Sequence, residues 1–252
     1  MNAVLHAEWT KLRTTSTTAW LLAAMVVLTV AVGLLASSAV RCPVGDCGVD
    51  PARTGLTGVY LGQAVVVAVG VLAIGGEYGT GMIRTTFTAM PHRLIVLGAK
   101  AMLLVGLVVP AGVVAVFGSL LVGRPMLAAS GHLVLSLGDG AVLRAAVGSV
   151  LYLALIALLA FGIGAAVRDS VVAIGLVLGL LYLFPVISGV VTDPVWQRHL
   201  QQIGPMSAGL AVQATTSVGS EPIGPWAGLG VLALWAAGAM LLGGFVVRLR
   251  DA

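Results

Sequence analysis

The chain has 252 residues, 59% of them hydrophobic and only 9% charged, with a net charge of +4 at neutral pH and a mean hydropathy of +1.09. A soluble domain carries roughly a quarter of its residues as Asp, Glu, Lys and Arg, so this composition excludes a water-facing globule and puts lipid where the polar exterior would be. The 13 basic residues form no run and no aromatic-interleaved stripe, which argues against a nucleic-acid partner.

Residues 2–13 open the chain with Leu5, Trp9 and Leu12 on one helical face and Asn2, His6, Thr10 and Arg13 opposite. This pattern predicts a short helix lying on the membrane surface, joined by the polar residues 14–18 to a first apolar run at 19–40. That run is longer than the apolar region of a signal peptide, about 7–15 residues, and Glu8 and Trp9 precede it. An anchored span is therefore expected. Cys42 and Cys47 follow, with Pro43 and Gly45 favouring a turn between them. In an oxidising compartment they are expected to form a disulfide; two free thiols are the alternative.

Further runs long enough to cross a bilayer, about 20 residues, lie at 57–76, 94–122, 141–167, 170–191 and 226–247. They are continuously apolar and do not alternate, so helices are expected and not a barrel. Between the second and third spans, residues 76–93 are too polar to span, yet Met82, Ile83, Phe87 and Met90 recur at helical spacing ahead of Pro91. An amphipathic helix is expected there. In the fifth span Gly175, Gly179, Tyr182, Val186 and Gly189 share one face, and Gly58-x-x-x-Gly62 marks the second. Such small-residue spacings allow close helix approach, within the chain or toward a partner. Residues 192–225, with Pro194, Pro205, Pro222 and Pro225, read as interfacial or re-entrant helices, or as a loose loop.

Six spans put both termini on one side of the membrane. That side carries eight basic residues against four acidic ones, and the other side five against five. The positive-inside rule then makes both termini cytoplasmic. No carboxylate lies at membrane depth, and only Lys100 and Arg144 touch a span, near its ends. A proton- or sodium-coupled carrier ordinarily places an ionisable group there, so that class is disfavoured. No His falls within a span to activate a nucleophile, and no phosphate-binding G-x-x-x-x-G-K-[ST] occurs. The chain is therefore read as no enzyme, with no cofactor and no metal of its own.

Three motifs in order carry a family resemblance. They are Glu8-Trp-Thr-Lys-Leu-Arg13 before the first span; Gly-Gly-Glu77-Tyr78 closing the second, followed by Gly-Thr-Gly-Met-Ile-Arg84-Thr-Thr and Met-Pro91-His-Arg93; and Arg248-Leu-Arg-Asp-Ala252 after the last. Together they resemble the permease subunit of bacterial type-2 ATP-binding-cassette (ABC) exporters over the whole chain. The resemblance implies a pair of permeases, identical or homologous, in the cytoplasmic membrane, bound to two copies of a separate ABC ATPase that uses ATP and magnesium. It implies that residues 2–13 are the amino-terminal surface helix and residues 78–92 the cytoplasmic coupling helix, with Glu77, Tyr78, Arg84, Phe87 and Arg93 as the ATPase-coupling residues. Where the family often has a charge after the Glu-Tyr pair, this chain has Gly79. By the same analogy Tyr60, Gln63, Tyr182 and Phe184 border the substrate path, with ordinary interhelical packing as the plainer role for each. The expectation is thus an all-α integral membrane protein, one permease domain over 1–252: interfacial helix and linker 1–18, six-span bundle 19–247, cytoplasmic tail 248–252. A channel or secondary carrier, or a membrane-embedded enzyme or assembly factor, are the alternatives.

Overall fold

The structure, a computed structural model, describes residues 16–40, 48–79, 93–129, 138–216 and 218–250. The described residues are helical and contain no strand. Six helices are long and apolar enough to cross a bilayer: α1 (Ser16–Ala39), α3 (Val59–Gly79), α4 (Arg93–Ala129), α5 (Gly140–Val167), α6 (Ser170–Val190) and α9 (Pro225–Arg250). Three short helices sit between them: α2 (Pro51–Gly55), α7 (Pro194–Ile203) and α8 (Pro205–Leu210). This is the architecture of a multi-pass membrane protein. The outward side chains agree: Trp20, Val171, Val190, Leu234 and Leu241 are each at least 74% exposed, which water would penalise and lipid does not.

Aspartates start four of the helices. Asp50, Asp139, Asp169 and Asp193 each accept a hydrogen bond from a first-turn amide, at 3.0 Å (Ala52), 3.1 Å (Ala141), 2.9 Å (Val172) and 2.8 Å (Val195). A side-chain carboxylate there satisfies an amide the helix cannot pair, and its charge meets the positive end of the helix dipole. Arg168, with a left-handed φ of 66°, ends α5, and Asp169 caps α6 directly after it. The reversal takes two residues, so α5 and α6 pack as antiparallel neighbours.

The bundle is built around α5, the most buried of the six long helices. It packs against α3, α4, α6 and α9, while α1 packs on α3 and α4 at the edge. Small residues set the approach of these helices. A Cβ on Gly162 of α5 would lie 2.5 Å from the Ala239 carbonyl carbon of α9 and 2.6 Å from the Met240 nitrogen. The Gly58-x-x-x-Gly62 pair is used within the chain, against Thr29 of α1, whereas Gly175, Gly179 and Gly189 of α6 have open space beside them.

Residues 192–225 are helical for much of their length and not a loose loop. On α7, Val195, Trp196, Leu200 and Ile203 take one side and Gln197, Arg198 and Gln201 the other, and none of the helix is buried. α4 runs to Ala129, beyond the expected end at 122, through Pro110 and Pro125. The ends of the long helices form two layers. At one end Gly75 meets Ser170, and Gly244 meets Leu94 and Leu97; at the other, α2, α7, α8 and residues 211–216 and 218–224 gather over the bundle.

Candidate functional site: a polar pocket at one end of the bundle

The polar chemistry of the described residues concentrates where α2 meets residues 211–224. Asp50, besides capping α2, accepts a hydrogen bond from the Thr215 hydroxyl at 2.6 Å on one carboxylate oxygen. Its other oxygen accepts from the backbone amides of Thr215 and of Thr216, the latter at 3.0 Å. Burial alone would push this carboxyl up; the bonds from the Thr215 side chain and the Thr216, Thr215 and Arg53 amides outweigh it and hold it below its ordinary value.

One turn along, Arg53 Nη1 donates to Glu221 Oε1 at 2.6 Å. Burial would lower the guanidinium, but the Glu221 charge and the neighbouring Tyr60 hydroxyl raise it. Nearby, Arg144 of α5 donates to the Ala214 carbonyl at 2.6 Å. A second tie comes from Gln202, whose amide donates to the Pro222 carbonyl at 2.7 Å.

Beneath these ties lies a cavity of about 240 Å³, with Arg53, Tyr60, Ser188, Gln201, Ser207 and Glu221 among its lining. Its floor continues into a buried polar seam. Met206 lines the cavity and its sulfur accepts from the Gln63 amide at 3.3 Å. Gln63, fully buried, in turn accepts a short hydrogen bond from the Tyr152 hydroxyl of α5. One turn from Tyr152 on the same helix, Ser149 accepts from the Gln213 amide at 3.0 Å.

The four residues read from sequence as a path are therefore not equivalent. Tyr60 faces the cavity. Tyr182 braces it from α6, its hydroxyl donating to the Tyr60 carbonyl at 2.6 Å. Gln63 lies one helical turn deeper, closed off between α3, α5 and α8. Phe184 packs edge-on against Trp235 of α9, with ring centroids 6.3 Å apart, and does not line the cavity. Glu77 and Tyr78 stand in the last turn of α3 and Arg93 opens α4. Their side chains, together with residues 80–92 (Arg84 and Phe87 among them), Cys42, Cys47 and the helix expected at 2–13, lie outside the described residues.

Asp50, Arg53, Glu221 and Tyr152 were not singled out from sequence. Asp50-Pro51 was a readable helix start, with a capping side chain followed by proline at the first helical position. Nothing local pairs Arg53 with a residue 168 positions away. A second groove of about 540 Å³ runs between α5, α6, α7 and α9 past Leu180, Ile203, Leu234 and Gly238, and its lining is almost wholly apolar.

The seam makes a direct prediction. Gln63→Leu strands the buried Tyr152 hydroxyl, and Tyr152→Phe strands the Gln63 carbonyl. Each single variant is expected to lower the unfolding midpoint in mild detergent. The double variant should cost less than the sum, by about 1 kcal/mol, the upper part of the range for interhelical bonds in membranes. Strict additivity of the two would show that the bond contributes nothing.

No family model matches the chain, and no curated protein matches it in sequence.

Proposed function

We propose that the protein is the membrane-spanning subunit of an ATP-driven exporter of the type-2 ABC class, in the cytoplasmic membrane of a bacterium. The observation that carries this reading is the motif order: Glu77-Tyr78 at the end of the second span and Arg93 at the start of the third, joined by residues 80–92. The six long apolar helices support it. In this reading the end of the bundle bearing Glu77 and Arg93 is cytoplasmic, with both termini, and residues 78–92 form the coupling helix against the ATPase. Residues 2–13 lie along the inner membrane surface. The pocketed end faces outward, where Cys42 and Cys47 can pair.

A second permease copy or homologue completes the path. The stripe of α6 is consistent with this, because Gly175, Gly179 and Gly189 have nothing beside them and Val186 is 63% exposed. Small residues without an intrachain neighbour let another helix come close.

Purification of the tagged protein from its native membrane is expected to bring down a soluble ATPase with a phosphate-binding loop in near-equal amount. Charge reversal at Glu77 or Arg84 should leave the complex able to hydrolyse ATP but cut substrate flux at least tenfold. A chain that elutes alone after gentle solubilisation and cross-linking would defeat the proposal and favour an ATP-independent channel or carrier.

A further inference from the structure

Helix α7 enters the bundle from its pocketed end, and its last carbonyl, of Ile203, accepts a hydrogen bond from Trp235 Nε1 of α9 at 3.0 Å. Trp235 stands ten residues into α9, about 15 Å from the Pro225 end at 1.5 Å per residue, so the tip of α7 lies at membrane depth. Beside that contact opens the apolar groove of about 540 Å³. Along α9 it runs from Val231 to Leu242, about 16 Å, which matches one leaflet of a hydrocarbon layer of about 30 Å. It is open sideways, for Ile203, Leu234 and Leu242 are each more than half exposed.

Something apolar fills such a groove, because a lining without partner atoms forfeits its dispersion contacts. Volume and length give a mean cross-section of about 33 Å², against about 79 Å² for a helix 10 Å across. A whole helix does not fit within it, whereas a single hydrocarbon chain does. The end of the groove nearer the pocketed side carries a cation. Arg198 and His199 each stand four residues before a groove residue, Gln202 and Ile203, and so one turn above it along α7. Both are exposed, and Arg198 forms no ion pair among the described residues. The acids on the neighbouring segments are engaged. Glu221, next to the Pro222 carbonyl that Gln202 binds, pairs with Arg53, and Asp193 caps α7.

We infer that a phospholipid with an anionic headgroup is seated here, one acyl chain in the groove and its phosphodiester at Arg198. The inference rests on the permease reading only in calling its leaflet the outer one. Lipid tails are as apolar as leucine, so the chain gains no hydrophobic transfer energy on entering. Selection among lipids comes from the charge, and the chain supplies packing that α7 lacks. None of α7 is buried by the protein itself, and the lipid wedges it against α5, α6 and α9. The position of α7, which lines the polar pocket through Gln201, then depends on the lipid beside it.

The test reads contact between lipid and Trp235. Two full-length proteins are compared: one keeps only Trp235, which lines the groove, and one keeps only Trp20, 74% exposed on α1. The remaining tryptophans are changed to phenylalanine. Each protein is reconstituted in phosphatidylcholine with rising amounts of phosphatidylglycerol brominated on its chains, a contact quencher of indole fluorescence. Trp20 should lose fluorescence in proportion to the bulk fraction. Trp235 should be half-quenched at a fraction about fivefold lower, the factor for one Arg near an anionic headgroup. Arg198→Gln should return Trp235 to the proportional curve. Gly238→Leu, which fills the groove without touching another helix, should do the same. The wild-type chain in mild detergent gives a second reading by native mass spectrometry: one phosphatidylglycerol per chain, lost in Arg198→Gln. Coincident curves for Trp235 and Trp20 would show bulk lipid only, and a Trp235 that no brominated lipid reaches would show the groove closed by protein, such as a second copy. A preference retained in either variant would place the lipid elsewhere. Each of these results overturns the site. Neither measurement involves an ATPase, so both stand or fall apart from the co-purification experiment.

Discussion

Gly162→Leu is expected to lower sharply both the yield and the melting temperature of the folded protein, while Gly238→Leu, on the neighbouring helix, is expected to be silent. At Gly162 the new side chain would have to occupy space held by the backbone of α9: Ala239 carbonyl carbon at 2.5 Å, Met240 nitrogen at 2.6 Å and Ala239 oxygen at 2.7 Å. Backbone cannot rotate away as a side chain can. A Cβ on Gly243 would in turn lie 2.6 Å from the Gly162 oxygen, so a slide along the axis meets the same obstacle. The α5–α9 contact is the most extensive between any two helices, and separating it also loosens α5 from the rest. Overpacking usually costs about 1–3 kcal/mol; with only backbone to move, the upper end or beyond is expected, against a typical stability of about 5–15 kcal/mol. Gly238 points into the open apolar groove with nothing within reach of a Cβ, and leucine is a better helix former than glycine. Fluorescence-detected size exclusion of tagged variants reads both. A monodisperse Gly162→Leu peak of wild-type height and melting temperature would mean the helices do not cross where described.

Asp50→Asn carries the second large effect. The amide keeps one acceptor oxygen but turns an –NH₂ toward donors, the amides of Thr215 and Thr216, that now go unpaired. A loss of about 1.5–3 kcal/mol is expected, the range for hydrogen bonds to a charged group. The pH dependence identifies the cause. The Asp50 carboxyl is held below its ordinary value, so its contribution is complete above the unfolded value, about pH 3.9, and disappears as the pH falls through the lower folded value. The difference in melting temperature between wild type and Asp50→Asn should therefore be constant from neutral pH down to about 4 and shrink below it. A gap that stayed open at the lowest pH would assign the loss to packing instead of charge.

The spans were legible because lipid leaves a one-dimensional trace: an apolar run of bilayer length needs no knowledge of what it touches. The sixth, expected at 226–247, is Pro225–Arg250, and the fifth, expected at 170–191, is Ser170–Val190. α4 was underestimated because Gly123-Arg124-Pro125 reads as a stop. A proline near a helix end forfeits only one internal hydrogen bond, and a half-buried Arg124 can carry its charge outward along its stem.

The pocket was much less legible. Tyr60 was reached by analogy, whereas Asp50, Arg53 and Glu221 are ordinary loop charges until folding brings positions 50 and 215, or 53 and 221, together. The one hint was the even balance of five basic and five acidic residues on that side, which is compatible with pairing but names no pairs. Gln63 shows the same limit. Its spacing from Tyr60 puts both on one side of α3, but only Tyr152 and Met206, arriving from other helices, decide that it is enclosed.

Helix α4 is 37 residues, about 55 Å at 1.5 Å per residue, against a hydrocarbon layer of about 30 Å. Even inclined at 40°, the upper limit of the ordinary range, it would use about 39 Å to cross, leaving about three turns beyond the lipid. Pro110 and Pro125, each leaving one internal hydrogen bond unmade, are the points within it where a helix bends. The thickness of the surrounding membrane decides how many of the surplus turns stay covered, so the same chain exposes a different length of α4 in thin and in thick bilayers.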